Sequence, residues 1–289
     1  MTLKKLTLAL ALSGLPLLAN ATQVLTTLPV THSLAVALLD GTSVQLKSAA
    51  PANLPASRQP SYFEGRGGAS LQKAAQQADA VIGVRSIWRD DPLYPMARRS
   101  NIRIVEIDAA RPVDGALPGI AVQGEQAFAA YPWLNPTNLG RMADVVANDL
   151  ERLSPADKAK IQGNLAGLKR QMLELTASSQ AQLAEVDNLS VVSLSERLGY
   201  LASGLNLDVV EQPLHADEQW DEAALKALTS NLKQQDVALV LHHRQPDAKV
   251  AAAIEAGGAK LLVVDSDPQD TVAGLKASVE QVVKALGSS

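Results

Sequence analysis

The side chains able to do chemistry in this 289-residue chain are few, and most fall just after stretches that read as β-strands. His32, Tyr62, Glu64, Ser195, Glu196, His242, His243 and Asp265 occupy such positions, and in parallel α/β sheets ligands sit beyond the carboxyl ends of the strands. Adjacent residues of a strand point to opposite faces, so at most one of His242 and His243 faces a given site; His243 is the favoured one. Hydrolytic chemistry does not assemble around these residues. Ser193 and Ser195 lack the Gly-x-Ser-x-Gly elbow of a nucleophile turn, and His215 sits in a polar loop without a visible partner. The absence of cysteine excludes thiol catalysis and cysteine-ligated zinc. No glycine-rich phosphate loop of dinucleotide or triphosphate type is present, and Gly65–Gly68, which follows no clear strand, reads as an ordinary loop. Imidazole, carboxylate, phenol and hydroxyl groups suited to binding remain.

The elements that must position them alternate. Gln23–Leu28 reads as a strand and Thr31–Leu39 as a helix ending at Asp40-Gly41. Val44–Lys47 is a second strand, Ala49–Gly68 an aperiodic loop rich in Pro, Ala, Ser and Gly, Ser70–Gln77 a helix, and Ala80–Val84 and Ile102–Ile107 strands. The region Asp108–Ala130 is irregular, and Asn138–Leu153 is helical. From Ser154 to Val186 a single long helix is expected. Ser154 is placed to cap it, Pro155 suits its first position and Asp157 its first turn, while Ile161, Leu165, Leu168, Met172, Leu175, Leu183 and Val186 hold one apolar face. Such a helix would be roughly 45–50 Å long, enough to run along both halves of the molecule. Beyond it, strands at Leu189–Ser193, Asp208–Val210, Val237–His242 and Lys260–Val264 alternate with helices at Glu196–Ser203, Glu222–Gln234, Ala248–Ala256 and Thr271–Leu286. The fold class is therefore α/β: two lobes, each a parallel-type sheet flanked by helices, joined by one spine helix. The expected divisions are an N-terminal lobe over 22–153, the linking helix over 154–186 and a C-terminal lobe over 187–289.

Composition narrows the setting. Lys4 and Lys5, an apolar run from Leu6 to Leu18 and Ala19-Asn20-Ala21 form an export signal with cleavage after Ala21, so residues 1–21 are left out of the fold. The apolar run is shorter than the roughly 20 residues that span a bilayer, and Gly14 and Pro16 break it. Without Lys4 and Lys5 the chain carries 24 basic residues against 30 acidic and no basic run, which argues against nucleic-acid binding. With no cysteine, a lipid anchor at the cleavage site is excluded and an exported chain must be held by its core. Aromatics are 3% of the sequence, too few to line a cleft with rings.

Several motifs are similar to one family. Tyr131-Pro132-Trp133-Leu134-Asn135-Pro136 leads into a helix, Leu153-Ser154-Pro155 follows with Asn164 further along, Ser195-Glu196 precedes Gly199-Tyr200, and Ala78-Asp79 and Val264-Asp265 complete the set. Together they resemble the periplasmic solute-binding proteins of zinc, manganese and iron ABC importers, over most of the chain after the signal. Thr27-Leu28-Pro29 with His32-Ser33-Leu34 looks like the zinc-binding branch. The resemblance implies two α/β lobes on one long helix, with a metal held between them.

The chain departs from that pattern at the ligands. Where the family keeps a histidine two residues before the tryptophan, Tyr131 stands here. The family's earlier histidine falls near Ser61 in the loop with Tyr62 and Glu64, and the third ligand matches Ser195 beside Glu196. Asp265 alone is retained, and the usual three-histidine zinc site cannot form at these positions. Zinc favours imidazole and thiolate, whereas phenolate and carboxylate oxygens suit manganese or iron. One arrangement is Tyr131 phenolate with Asp265 and Glu64 or Glu196 around ferric iron; the other is a rebuilt site using His32 and one of the pair His242 and His243. Tyr131 reads equally as a packed ring, Trp133 as core, His32 as a residue capping or lining its helix, and Asp265 as a loop residue.

The resemblance implies a periplasmic, monomeric substrate-binding protein that is not an enzyme and carries no catalytic cofactor. It would capture a transition metal as cargo and deliver it to an ABC permease and its ATPase. Alternatives of the same origin are capture of a metal chelate or siderophore complex, an accessory importer role with a degenerate site, and an adhesin-like surface role.

Overall fold

The computed structural model describes residues 21–112, 118–122 and 128–287; the export segment falls outside them. Two four-stranded sheets carry the fold. The first consists of β1 (Gln23–Thr26), β2 (Gln45–Ser48), β3 (Ala80–Gly83) and β4 (Val105–Asp108) in the order β2-β1-β3-β4, and the second of β5 (Ser190–Ser193), β6 (Asp208–Glu211), β7 (Leu239–His242) and β8 (Lys260–Val263) in the order β6-β5-β7-β8. Every pairing is parallel. In both sheets the order reverses between the first and third strands, so each has a switch point, at β1/β3 and at β5/β7. The central strands β3 and β7 are buried along their whole length, as parallel strands covered on both faces must be. Edge strands carry the charges: Lys47 on β2, Glu106 on β4, Asp208 on β6 and Lys260 on β8, which discourages pairing with another chain.

Helices cover both faces: α1 (Pro29–Leu39), α2 (Gln59–Glu64), α3 (Gly68–Gln77), α4 (Leu93–Ser100), α5 (Pro136–Leu153), α6 (Lys158–Leu183), α7 (Gly199–Gly204), α8 (Glu222–Gln234), α9 (Ala248–Ala256) and α10 (Thr271–Gly287). Because strand side chains alternate, neighbouring residues enter different cores. Leu25 and Val81 pack outward with Phe63 and Leu71, and Val192 and Val240 pack with Trp220 and Ile254. Val24 and Ile82 of the first sheet and Val191 and Leu239 of the second enter one continuous inner core with residues of α1, α5, α6 and α10.

The α6 helix is the strut of that core. Its 26 residues give about 39 Å of helix, shorter than the sequence suggests, because a 3₁₀ turn at Pro155–Asp157 precedes it and the helix stops at Leu183. Ile161, Leu168, Met172, Leu175 and Leu183 are buried on one face and pack against α1, α5 and α10. Ser154 does not cap the helix as expected. Its hydroxyl donates to Asp157 Oδ2 (2.8 Å), and Asp157 also accepts from the Ser43 amide (3.1 Å) and hydroxyl (2.6 Å). These donors hold the Asp157 carboxyl below its ordinary range, tying the start of the spine to the first sheet rather than to its own N–H groups. Two turns on, Asn164 Nδ2 donates to the carbonyls of Leu38 and Asp40 (2.9 Å each) at the end of α1.

Other departures from the expected elements are local. The aperiodic stretch 49–68 contains a 3₁₀ turn at Ala56–Arg58 and α2, since a chain passing over Phe63, buried at 1% exposure, must satisfy its backbone there. Helix α4 occupies part of 85–101, where no element is expected, and the following strand begins at Val105 rather than Ile102 because Ile102 is 78% exposed.

Asn164→Ala removes both donors from the end of α1, and an unsatisfied carbonyl costs about 1–3 kcal/mol. The urea unfolding midpoint is expected to fall accordingly; an unchanged midpoint would show that α1 does not depend on this tie.

Candidate functional site

The carboxyl ends of the two sheets face one another across a cavity of about 750 Å³. The first half supplies Pro29, just after β1, and residues 52–57, after β2; the segment before the spine supplies Phe128 and Tyr131. From the second half come Ser195, Glu196 and Arg197 after β5, His215 after β6, His243 after β7, and Asp267 and Gln269 after β8. The loops beyond β1, β5 and β7 border the switch points, where neighbouring connections diverge and leave a crevice.

Tyr131 is 8% exposed and sits at φ 51°, ψ 65°, in the left-handed region. For a non-glycine residue that costs on the order of 1–3 kcal/mol, and ring packing holds it there: Trp133 lies 4.8 Å away and Phe128 6.2 Å. The Arg197 guanidinium lies 4.9 Å from the Tyr131 ring centroid, a cation over an aromatic face. Burial pushes the Tyr131 phenol above its ordinary pKa, the Asp267 charge adds to this, and Arg197 opposes it. Phenolate is therefore disfavoured in this cleft.

His243 reaches the cleft, while its neighbour turns away. The His243 backbone amide donates to His242 Nδ1 (2.9 Å), so His242, buried at 7% exposure, spends that nitrogen within the turn. His243 Nδ1 is itself buried with no hydrogen-bond partner among the described residues. Burial first, then the positive charges of Arg197, His242 and Arg244, push the His243 imidazole down to about 4, with Asp217 opposing. A neutral imidazole with a free lone pair is the form that ligates a metal. Loss of hydration raises the Asp267 carboxyl; Arg197 opposes that rise, and Asp265 reinforces it.

Of the residues singled out from the sequence, the structure brings Tyr131, Ser195, Glu196 and His243 to this cavity. The others are not among its lining residues. His32 Nδ1 shares a 2.9 Å hydrogen bond with Thr26 Oγ1, and burial lowers its pKa. Ser61, Tyr62 and Glu64 belong to α2, where Tyr62 packs edge-on against Phe63 with Arg66 over its ring. Asp265 accepts from the Asp267 amide (3.0 Å), closing a turn that places Asp267 on the cavity wall instead. Of the expected oxygen set, Tyr131 and Glu196 line the cavity, whereas Glu64, on α2, and Asp265, in the β8 turn, are not among its lining residues. Among the described residues, no three His, Asp or Glu side chains are placed to hold a metal ion. Sequence reasoning passed over Arg197, Asp267 and Gln269, although Arg197 follows directly on Ser195-Glu196 at the same strand end. It placed His215 in a loop without a partner, whereas the structure sets its ring 4.7 Å from Trp220.

Comparison with known proteins gives consistent matches. The family described as zinc-uptake complex component A, periplasmic (ZnuA), matches residues 24–284. A crystal structure of a ZnuA deletion mutant with zinc bound shares 21% identity, with 92% of this chain and 98% of that chain covered and a TM-score of 0.67. A mutant of FpvC from Pseudomonas aeruginosa shares 19%, covering 92% and 100%, with a TM-score of 0.71. The zinc-bound ZnuA-like domain of AdcA from Streptococcus pneumoniae shares 18%, covering 93% and 98%, with a TM-score of 0.71. No curated protein sequence matches the chain.

With its pKa pushed down to about 4, His243 is expected to stay neutral as the free protein is taken from pH 8 to pH 5, and Arg197→Gln to move its titration upward. Imidazole ¹⁵N shifts check this. A His243 midpoint near the ordinary 6.5 would contradict the desolvated, cation-flanked environment.

Proposed function

The chain belongs to the periplasmic zinc-uptake component family, which matches it from residue 24 to residue 284, and on that premise we propose that it captures a transition metal between its sheets for delivery to an ABC permease driven by its ATPase. The observation that carries the reading is the 750 Å³ cavity at the facing carboxyl ends of both sheets, with His243, Glu196 and Asp267 in its wall. Delivery requires binding and release without a chemical step. Residues 22–153 and 187–289 act as the two lobes and 154–186 as their strut, with residues 1–21 removed on export after Ala21. No described helix is long and apolar enough to cross a membrane.

His243 supplies imidazole nitrogen, and Glu196 and Asp267 supply carboxylate oxygen. Imidazole suits zinc, and mixed nitrogen and oxygen donors also admit manganese and iron. The solved ZnuA and AdcA structures are described with zinc and an FpvC structure with manganese; cargo of that class fits this cavity. Binding in a shared-core frame favours small lobe adjustments over a wide hinge, because opening would expose the buried face of α6.

The protein isolated from periplasmic extract without chelators is expected to carry a stoichiometric transition metal, which His243→Ala reduces. A strain lacking the chain should hold less of that metal under limitation, measured by elemental analysis of cells. Metal-free native protein together with unchanged cellular metal content would overturn the reading.

A further inference from the structure

We infer, building on the metal-delivery reading, that the cleft takes its metal together with an anionic oxygen ligand, and that Arg197 is the residue that holds this anion. A guanidinium in the wall of a cavity built for a bare cation is electrostatically misplaced. Arg197 nevertheless lines the cavity, partly buried, on the same strand end as Ser195 and Glu196. Its contacts leave most of its five donors available: Nη1 makes one long contact to Ser266 Oγ (3.5 Å), and the guanidinium lies over the Tyr131 ring. Arginine presents a planar fork matched to carboxylate-like oxygens, and the Tyr131 face lies against it.

The metal side of the site is correspondingly short of ligands. No three His, Asp or Glu side chains converge among the described residues, whereas zinc takes four donors and manganese or iron more. His243, its Nδ1 buried and unpartnered, is one donor, and Glu196 or Asp267 provides another type. An anion bridging the metal and Arg197 completes the set, beside Asp267, the acidic wall residue on which the Arg197 charge already acts. The anion is a carboxylate or carbonate group, brought either as a free inorganic ion or as part of a small chelator.

Calorimetry on chelator-stripped protein separates these sources. Zinc is titrated alone in a buffer free of carboxylate, phosphate and carbonate, then with bicarbonate, then as its citrate complex. The expected result is a gain of about ten-fold or more in one of the two anion arms. A gain with bicarbonate assigns a free ion, and a gain with citrate alone assigns a chelator-borne carboxylate, since citrate acting only as a competitor would weaken binding. Arg197→Gln should abolish the gain and Arg197→Lys retain part of it, with melting temperatures of the metal-free variants checking the fold; if the glutamine variant unfolds, the lysine variant carries the test. Equal or weaker affinity in both anion arms, or a gain unchanged in the folded variants, overturns the inference while leaving metal delivery intact. No zinc binding in any arm, with manganese behaving likewise, overturns both.

Discussion

The burial of one face of α6 in a core shared by both sheets is the constraint on which the rest depends. Ile161, Leu168, Met172 and Leu175 pack among residues of α1 and α10, so neither sheet can shift without disturbing packing that also serves the other. Close-packed interiors resist such slippage. Polar ties fix the same relation: Asn164 holds the end of α1, Asp157 holds Ser43, and Ser33 accepts the Thr271 amide (2.8 Å) while its hydroxyl donates to the Gln269 carbonyl (3.2 Å). The last pair spans the two halves beside the cavity, where Gln269 also reaches the Ala52 carbonyl (2.7 Å). Cavity walls drawn from distant parts of the chain are thereby held in register.

Within that frame the electrostatics of the cleft are set by few groups. Arg197 touches the Tyr131 ring and sits close enough to His243 and Asp267 to shift both. Its charge adds to the burial that keeps the imidazole neutral and opposes the burial that raises the Asp267 carboxyl, in each case favouring the ligating form. It also offsets part of the burial cost that keeps the Tyr131 phenol protonated. A single cation therefore tunes three candidate donors at once, and the strained backbone of Tyr131 is held against it by Trp133 and Phe128. Local strain of this kind persists where the surroundings over-determine a residue.

The fold class was legible in the residues because it rests on periodicity: alternating strand and helix patterns and the apolar face of α6. The start of α5 was not, since the helix expected from Asn138 begins at Pro136, where the Asn135 side chain accepts the Thr137 amide (2.9 Å). The short elements were not. Helix α2 has six residues, too few to show a period, and it forms because Phe63 is buried against α3 and β3. Ser154 reads as a cap from its type, yet its hydroxyl turns to Asp157, whose partner Ser43 lies 114 residues away. No local pattern records a contact at that separation.

The same division runs through the site. By itself the sequence determined a two-sheet α/β chain on a spine helix, the strand ends at which ligands would lie and the absence of thiol chemistry. Tertiary structure alone decided which strand-end residues share a cavity: Asp267, beside a turn closed by Asp265, stands on the same wall as His243, which strand alternation already favours over His242. It also decided that Arg197 stands among them. Strand-end position is a property of the chain, but convergence depends on how loops after β2, β5, β7 and β8 fold back over two sheets fixed by a common core.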